Sequence, residues 1–195
     1  MKKTELTAFR NARVRGINAI NLEEGEHLIG VAITHGHHDV MLFSDAGKCV
    51  RFDEDDVRSM GRTAHGVRGM RLEDGQKVVS LLVSEDDSHY VLTVTENGYG
   101  KRTLMSEYPR HGRGGKGVVA ISTSERNGRV VSATLVTEDD DIMILSTGGK
   151  VIRTRAAEVS VYSRAAQGVR LINVDDNDTV ASVRRAECTG EEEAP

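Results

Sequence analysis

The sequence predicts an all-β fold built from repeated, bladed units. A short motif led by glycine occurs four times, at Gly16, Gly66, Gly117 and Gly168, with spacings of 50, 51 and 51 residues. Each motif is followed by Val- and Ile-rich segments that alternate with Gly- and Asn-containing turns, as expected for strands and hairpins. No segment carries apolar residues at the 3.6-residue period of a helix. We therefore expect about four propeller-like blades of four strands each.

The elements follow one order in every repeat. A polar turn after the motif leads into a first predicted strand, at residues 28–33, 78–83, 130–136 and 179–183. In the first three repeats two further strands flank a glycine turn, at residues 40–43 and 48–52, 90–94 and 101–104, and 142–145 and 150–154. Residues 142–145 are apolar at every position, which predicts a strand covered on both faces. The repeats are placed at about 1–47, 48–98, 99–149 and 150–187, and residues 188–195 are expected to form a disordered acidic tail.

The composition limits the class of protein. The only two cysteines, Cys49 and Cys188, are far apart and form no CxxC pair, so neither a disulfide framework nor a zinc site is indicated. No apolar run approaches the roughly 18 residues that a membrane span needs, and residues 1–5 do not resemble a signal peptide. These observations predict a soluble protein of the reducing cytoplasm, without a membrane partner.

The net charge of −4 conceals a separation of charge along the chain. The loop before each repeat glycine contains arginine or lysine but no aspartate or glutamate. These cations are Arg10, Arg13 and Arg15; Arg58, Arg62 and Arg68; Arg110, Arg113 and Lys116; and Arg164 and Arg170. They sum to +11, which leaves −15 on the rest of the chain.

Equivalent loops of a bladed protein lie on the same rim, so the four loops predict a basic belt on an acidic body. Such a belt is the electrostatic signature of a surface that binds a polyanion. Two histidines, His65 and His111, lie within the same loops and are included in the predicted site. The acidic remainder is expected to repel nucleic acid and so confine it to the belt.

With its repeats and basic loops, the chain resembles the C-terminal domain of the DNA gyrase A subunit, a β-pinwheel whose rim wraps DNA. The resemblance extends to about Glu187 and is strongest at residues 96–103, at Glu107-Tyr108-Pro109, and from Gly168 onward. Family domains typically have six blades, so about two are expected to be missing from this chain. The C-terminal domain of the topoisomerase IV A subunit is the alternative within the same resemblance.

A glycine-rich segment resembles the signature box of the family, Gln-Arg-Arg-Gly-Gly-Lys-Gly. Arg113, Gly114, Gly115, Lys116 and Gly117 match its last five positions, while His111 and Gly112 depart from the first two. The glycines are expected to let backbone N–H groups approach a phosphate that the two cations neutralise. Because family members carry the box in their first blade, the intact box is expected to precede Met1.

The resemblance implies that the chain binds and wraps duplex DNA as part of a DNA gyrase that introduces negative supercoils with ATP. The implied partners are duplex DNA, the gyrase B subunit, and the rest of the gyrase A subunit. The catalytic tyrosine, ATP and Mg belong to other parts of that enzyme, so no catalytic residue, metal or cofactor is expected in this chain.

Three other interpretations of the sequence are weaker. His35, His37, His38 and Asp39 form a polar cluster that could be taken for a metal or hydrolase site, but adjacent residues on a turn rarely converge on one ion. Residues 98–103 superficially resemble a phosphate loop, yet they lack its spacing and predict a hairpin turn. A propeller for protein interactions fits the repeat length but does not explain acid-free cationic loops in every repeat.

Overall fold

A computed structural model of the chain describes residues 1–12 and 14–186, so Arg13 and residues 187–195, with the predicted acidic tail, lie outside it. Short 3-10 helices follow the hairpins at Glu54–Asp56, Met105–Glu107 and Ala156–Glu158, and another lies at Leu6–Phe9. The strands are β1 (Asp39–Ser44), β2 (Lys48–Asp53), β3 (Val78–Ser84), β4 (Tyr90–Thr95), β5 (Tyr99–Leu104), β6 (Val118–Val119), β7 (Val130–Val136), β8 (Asp141–Ser146), β9 (Val151–Arg155), β10 (Val169–Arg170) and β11 (Val180–Ala186).

The strands form three antiparallel sheets, which confirms the all-β, bladed prediction. The first blade has the order β3-β1-β2-β6, the second β10-β5-β4-β7, and the third β11-β8-β9. A hairpin lies at the centre of each blade, formed by β1 and β2, by β4 and β5, and by β8 and β9. The described part of the chain therefore contains two four-stranded blades and one of three strands.

Each complete blade borrows a strand from the segment that follows its neighbour's hairpin. β6 comes after the second hairpin but pairs with β2 of the first blade, with Lys48 opposite Val119 and Cys49 opposite Val118. In the same way β10 follows the third hairpin and pairs with β5, with Gly100 opposite Val169. The sheets thus take their strands from across the repeat boundaries drawn in the sequence at 1–47, 48–98, 99–149 and 150–187.

The repeat glycine marks the place where a loop meets the preceding hairpin. Gly117 has a φ of 75°, and a Cβ atom built on it would lie 2.3 Å from the carbonyl oxygen of Cys49. Gly168 has a φ of 78°, and its Cβ atom would lie 2.4 Å from the carbonyl oxygen of Gly100. A side chain at either position would both strain the backbone and collide with the neighbouring strand. This close approach explains why glycine opens the repeat.

The core lies between successive blades, because the central strands bury alternate residues on opposite faces. Met41 and Phe43 of β1 pack with Val91 and Tyr108 of the second blade. On the other face of β1, Val40 and Leu42 belong to a second cluster. That cluster contains Val50, Phe52, Val57 and Met70, packed against Met1, Met60, Val67, Leu72, Val78 and Leu81. A third cluster between the second and third blades contains Leu92, Val94, Ile142, Ile144, Ala156, Val159, Ile172, Val180 and Val183.

One predicted strand is absent and another is covered on one face only, and the blade geometry gives the reason. Residues 28–33 form no strand. The equivalent strands β3, β7 and β11 each pair with the first strand of a hairpin. In the described chain no such hairpin strand is available to residues 28–33. Residues 142–145 do form a strand, but only one face is covered. Met143 and Leu145 remain 42% and 39% exposed because no described blade packs on that side.

Candidate nucleic-acid interface

The cationic loops of successive repeats contact one another and form a continuous row. An Arg113 Nη1 atom donates to the carbonyl of Arg68 at 3.1 Å, which joins the second and third loops. The backbone N–H of Ser122 donates to the carbonyl of Ala166, which joins the segment after the third loop to the fourth. Arg62 of the second loop donates to the carbonyl of Asn18, which joins that loop to the segment after the first. The row is therefore a built feature of the fold and not four separate surface loops.

Three arginines at the same place in their loops act as anchors for this row. Arg62 bonds to the carbonyl of Asn18, and Arg113 bonds to the carbonyls of Asp56 and Arg68. Arg164 is half-buried and donates to the carbonyls of Glu107, at 2.8 Å, and Val119, at 2.6 Å. Each side chain thus satisfies carbonyl oxygens in or next to the preceding loop, so part of its hydrogen-bonding capacity is used within the protein.

Two other predicted cations are ion-paired. Arg110 Nη2 lies 2.7 Å from Asp39 Oδ1, and Arg110 Nη1 lies 3.5 Å from Asp53 Oδ2. The hydrogen bond and the charge of Asp39 raise the pKa of Arg110 above its ordinary value. Lys116 Nζ lies 3.3 Å from Glu73 Oε1, with both side chains exposed. An exposed pair of this kind is worth little, so Lys116 can exchange its carboxylate for another anion at small cost.

The glycine-rich segment uses its backbone groups against the preceding blade. The N–H of Gly114 donates to the carbonyl of Gly69 at 2.6 Å, and the carbonyl of Gly115 accepts from the N–H of Arg71 at 2.8 Å. The N–H of His111 donates to the carbonyl of Arg51. The hydrogen bonds of these groups hold the loop in place, while the predicted Gly117 lies against β2.

The remaining predicted cations point to the surface. Arg10, Arg15, Arg58, Arg68 and Arg170 are exposed, and within residues 1–12 and 14–186 none of them has a carboxylate partner. The predicted His65 and His111 are exposed as well. The row therefore combines anchored arginines with exposed ones that have no carboxylate partner in the described chain, and the exposed ones are the groups available to an external anion.

Sequence reasoning missed a buried lysine under the row. The Lys101 ammonium is fully buried and donates to Thr103 Oγ1 and to the carbonyls of Ser163 and Arg164, at 2.8 to 2.9 Å. Burial lowers the pKa of Lys101 to about 8, against the opposing charge of Glu107. The side chain fastens the fourth loop to β5. Lysine in an apparently polar strand gave no signal that it would be buried, because its two carbonyl acceptors come from more than 60 positions away.

Two arginines outside the loops fasten one blade to the next. Arg51 donates from Nη1 to the carbonyls of Met105 and Tyr108, and Arg102 donates from Nε to the carbonyl of Val159. Both are buried, and they occupy equivalent places in β2 and β5. The sequence signal that could have identified them is their recurrence 51 positions apart, at the fourth position of each strand.

The histidine cluster is part of the first blade. His38 is buried directly before β1, with Nδ1 3.2 Å from Glu54 Oε1, and Glu54 also accepts from the backbone N–H groups of Gly36 and His38. Burial alone raises a carboxyl pKa, but the hydrogen bonds from Thr34, His38, Gly36 and Lys3 lower the pKa of Glu54 to about 2. Among the described residues no three His, Cys, Asp or Glu side chains are placed to hold a metal ion, and no helix in this part of the chain has the length and apolar character to cross a bilayer.

Replacing Arg164 with methionine is expected to lower the free energy of unfolding by about 2–3 kcal/mol. The change leaves two carbonyl oxygens of the preceding segment without their charged donor, and hydrogen bonds to charged groups are worth about 1.5–3 kcal/mol each. Arg170→Met is the matched control, because Arg170 is exposed and bonds only to the side chains of Tyr99 and Asn173. We expect that change to cost under about 1 kcal/mol. Equal losses in urea unfolding would contradict the anchoring role.

Comparison with known proteins agrees with this geometry. The chain matches the family described as "DNA gyrase C-terminal domain, beta-propeller" over residues 1–35, 38–85, 89–137 and 140–187. It is 50% identical to the A subunit of DNA gyrase from Salmonella typhimurium over 194 residues and 48% identical to that from Escherichia coli, covering 99% of this chain in each case. The chain spans about a fifth of the length of these relatives, 22% of each.

Two solved structures share the fold. The first, a DNA gyrase A C-terminal domain, is 34% identical with a TM-score of 0.79, and the alignment covers 88% of this chain and 58% of that one. The second, a C-terminal domain of DNA topoisomerase IV, is 25% identical with a TM-score of 0.89, covering 95% and 58%. The last three matched segments of the family each contain one hairpin and the strand that closes its outer side. The resemblance seen in the sequence is thus confirmed: the chain belongs to the DNA gyrase C-terminal domain family.

Proposed function

We propose that this chain binds duplex DNA along its row of loops and wraps it as part of a DNA gyrase, an enzyme that introduces negative supercoils with ATP. The observation that carries the proposal is the row itself, in which free and anchored arginines alternate along loops joined by hydrogen bonds. A rigid row of cations favours an extended polyanion over a compact one. Family membership supports the same function.

The partners in this proposal are duplex DNA, the gyrase B subunit, and the rest of the gyrase A subunit, in the cytoplasm. ATP and Mg belong to other parts of that assembly. The loops supply side-chain cations and hold them on a fixed backbone, so the contribution of this chain is to position DNA. Phosphate contacts of this kind fix the path of a duplex without reading its sequence.

Wrapping can be tested by closing a nicked plasmid with ligase in the presence of the chain. A chain that bends DNA around itself changes the linking number of the closed product in proportion to the amount bound. The control is a variant in which Arg10, Arg15, Arg58 and Arg68 are all replaced by glutamine, which should abolish the shift. Plasmids with unchanged topology at saturating wild-type chain would show binding without wrapping and refute that part of the proposal.

Binding to duplex DNA is expected to weaken steeply with salt. If about six exposed cations of the row contact phosphates, log K should fall with log salt at a slope near −5, since each contact contributes about −0.9. Filter binding of an arbitrary duplex between low and moderate salt measures the slope. A slope shallower than about −2 would mean that at most two phosphates are neutralised, which contradicts a row-wide interface.

A further inference from the structure

Two arginines from different segments converge on one tyrosine ring at the edge of the row. The Arg126 Cζ atom lies 4.5 Å from the centre of the Tyr99 ring, and the Arg170 Cζ atom lies 5.0 Å from it. Arg170 also donates from Nη2 to Tyr99 Oη at 2.6 Å. The two guanidinium groups therefore lie within about 10 Å of each other, held by cation–π contacts to a shared ring.

The site is rigid because three segments are fastened together around it. β10 pairs Arg170 with Tyr99 of β5, which places one arginine beside the ring. The amide of Asn97 donates to the carbonyls of Glu125 and Arg126, both at 3.0 Å, which fixes the turn that carries the other arginine. Arg126 Nη2 in turn donates to the carbonyl of Gly168.

The site has cations and no internal anion. In the part of the chain that the structure describes, neither Arg126 nor Arg170 is ion-paired, and neither Arg126 Nη1 nor Arg170 Nε has a hydrogen-bond acceptor. Two unit charges about 10 Å apart repel by about 0.4–2 kcal/mol, depending on solvent exposure. The fold therefore holds two positive charges close to each other, and some of their N–H donors have no acceptor among the described residues.

In the third blade the equivalent cation is paired with a carboxylate of the protein. At the place that corresponds to Tyr99 it has Lys150, whose ammonium lies 3.2 Å from Asp175 Oδ2 and 2.9 Å from the carbonyl of Asn173. The polar turn of the third blade is acidic, whereas the turn at residues 124–128 contributes Arg126. The anion that neutralises the third blade's cation is thus supplied by the protein, while in the second blade it has to come from outside.

We propose that Arg126, Tyr99 and Arg170 form a binding site for one phosphodiester group of duplex DNA, at the edge of the second blade where β10 pairs with β5. The proposal rests on the proposed function and adds to the row a residue, Arg126, that lies outside the four loops. A phosphodiester matches the forked donors of two guanidinium groups. The guanidinium groups already lie over the Tyr99 ring, where a nucleobase would have to stack, so the site favours phosphate over base.

The test compares two double variants of the chain that each remove two positive charges. Arg126→Gln with Arg170→Gln removes the site. The control, Arg155→Gln with Arg184→Gln, removes two exposed charges from strands of the third blade, toward the end opposite its hairpin turn. The affinity for an arbitrary duplex is measured over a range of salt. The site variant is expected to reduce the slope of log K against log salt by about 1, since the site contacts one phosphate and each lost phosphate contact removes about 0.9. The control variant should leave the slope unchanged.

A further pair of variants guards against loss of folding. Arg170→Gln alone breaks contacts only to two side chains, Tyr99 and Asn173, and should still reduce the slope, by no more than the roughly 0.9 that one lost phosphate contact removes. Arg126→Lys with Arg170→Lys retains both charges and should keep the wild-type slope. An unchanged slope in the glutamine variants, or a loss confined to single-stranded DNA, would overturn the phosphate site. If the wild-type chain itself shows no salt-dependent binding, the proposed function fails instead.

Discussion

Replacing Met41 with alanine is expected to lower the free energy of unfolding by about 2–5 kcal/mol, the usual cost of removing a buried side chain of this size. Met41 is completely buried between the first and second blades, where it packs in one cluster with Phe43 and Val91. Its removal leaves a cavity between two sheets that are both held by hydrogen bonds and therefore cannot close around it. Urea or thermal unfolding followed by circular dichroism measures the loss.

Met143 provides a control of the same residue type. It occupies the equivalent position in the central strand of the third blade, but there it is 42% exposed. Met143→Ala should cost under about 1 kcal/mol, as surface substitutions do. Similar losses for the two variants would mean that burial between blades does not determine stability, contrary to the arrangement of the core.

Replacing Asp39 with alanine is expected to cost about 3–5 kcal/mol, because it leaves a buried arginine without its main partner. Asp39 accepts from Arg51 Nε at 2.8 Å and lies 2.7 Å from Arg110 Nη2. The Arg51 side chain is only 8% exposed and also bridges to the second blade, so its charge cannot move into solvent. Asp87, at 2.5 Å from Arg51, limits the loss but is itself half-exposed.

The matched control is Asp141→Ala in the third blade. Asp141 accepts from Arg153 Nε at 2.7 Å, in the same geometry, but the Arg153 side chain is 63% exposed. Water can solvate that arginine once the Asp141 carboxylate is removed. The free energy of unfolding should therefore fall by about 0–1 kcal/mol, as for surface ion pairs. If urea unfolding shows equal losses of stability for Asp39→Ala and Asp141→Ala, burial of the Arg51 side chain does not strengthen its ion pair with Asp39.

The sequence was sufficient to predict the central hairpins, because β1, β4 and β8 are short and mostly apolar and a glycine-containing turn follows each of them. The exchange of β6 and β10 between blades could not be predicted, since a two-residue strand has no periodicity and its partner lies about 70 positions away. The prediction at residues 28–33 failed for a related reason. A strand pattern shows that a segment is able to pair, and only the fold shows whether a partner strand is present.

The candidate site was also predictable from the sequence only in part. The charge of the loops was visible in the sequence, and the comparisons confirmed the family. The difference between Arg164, which is anchored, and Arg170, which is exposed, was not visible, because both lie in one acid-free loop and differ only in what the neighbouring segment offers them. Arg126 could not be identified from the sequence because it lies in a polar turn next to Glu125, where an arginine is usually only a solvated charge.

The borrowed strands also set an order for folding during synthesis. The first hairpin ends at Asp53, but the strand that closes its blade, β6, begins at Val118, so 64 residues must be made in between. At about 5–20 residues per second, a ribosome needs about 3–13 s for that stretch. During this interval β2 has an open edge, which is the kind of surface that pairs with foreign strands. The two four-stranded blades of the nascent chain therefore fold with the same lag, each left unfinished until the next hairpin and the segment beyond it have been translated.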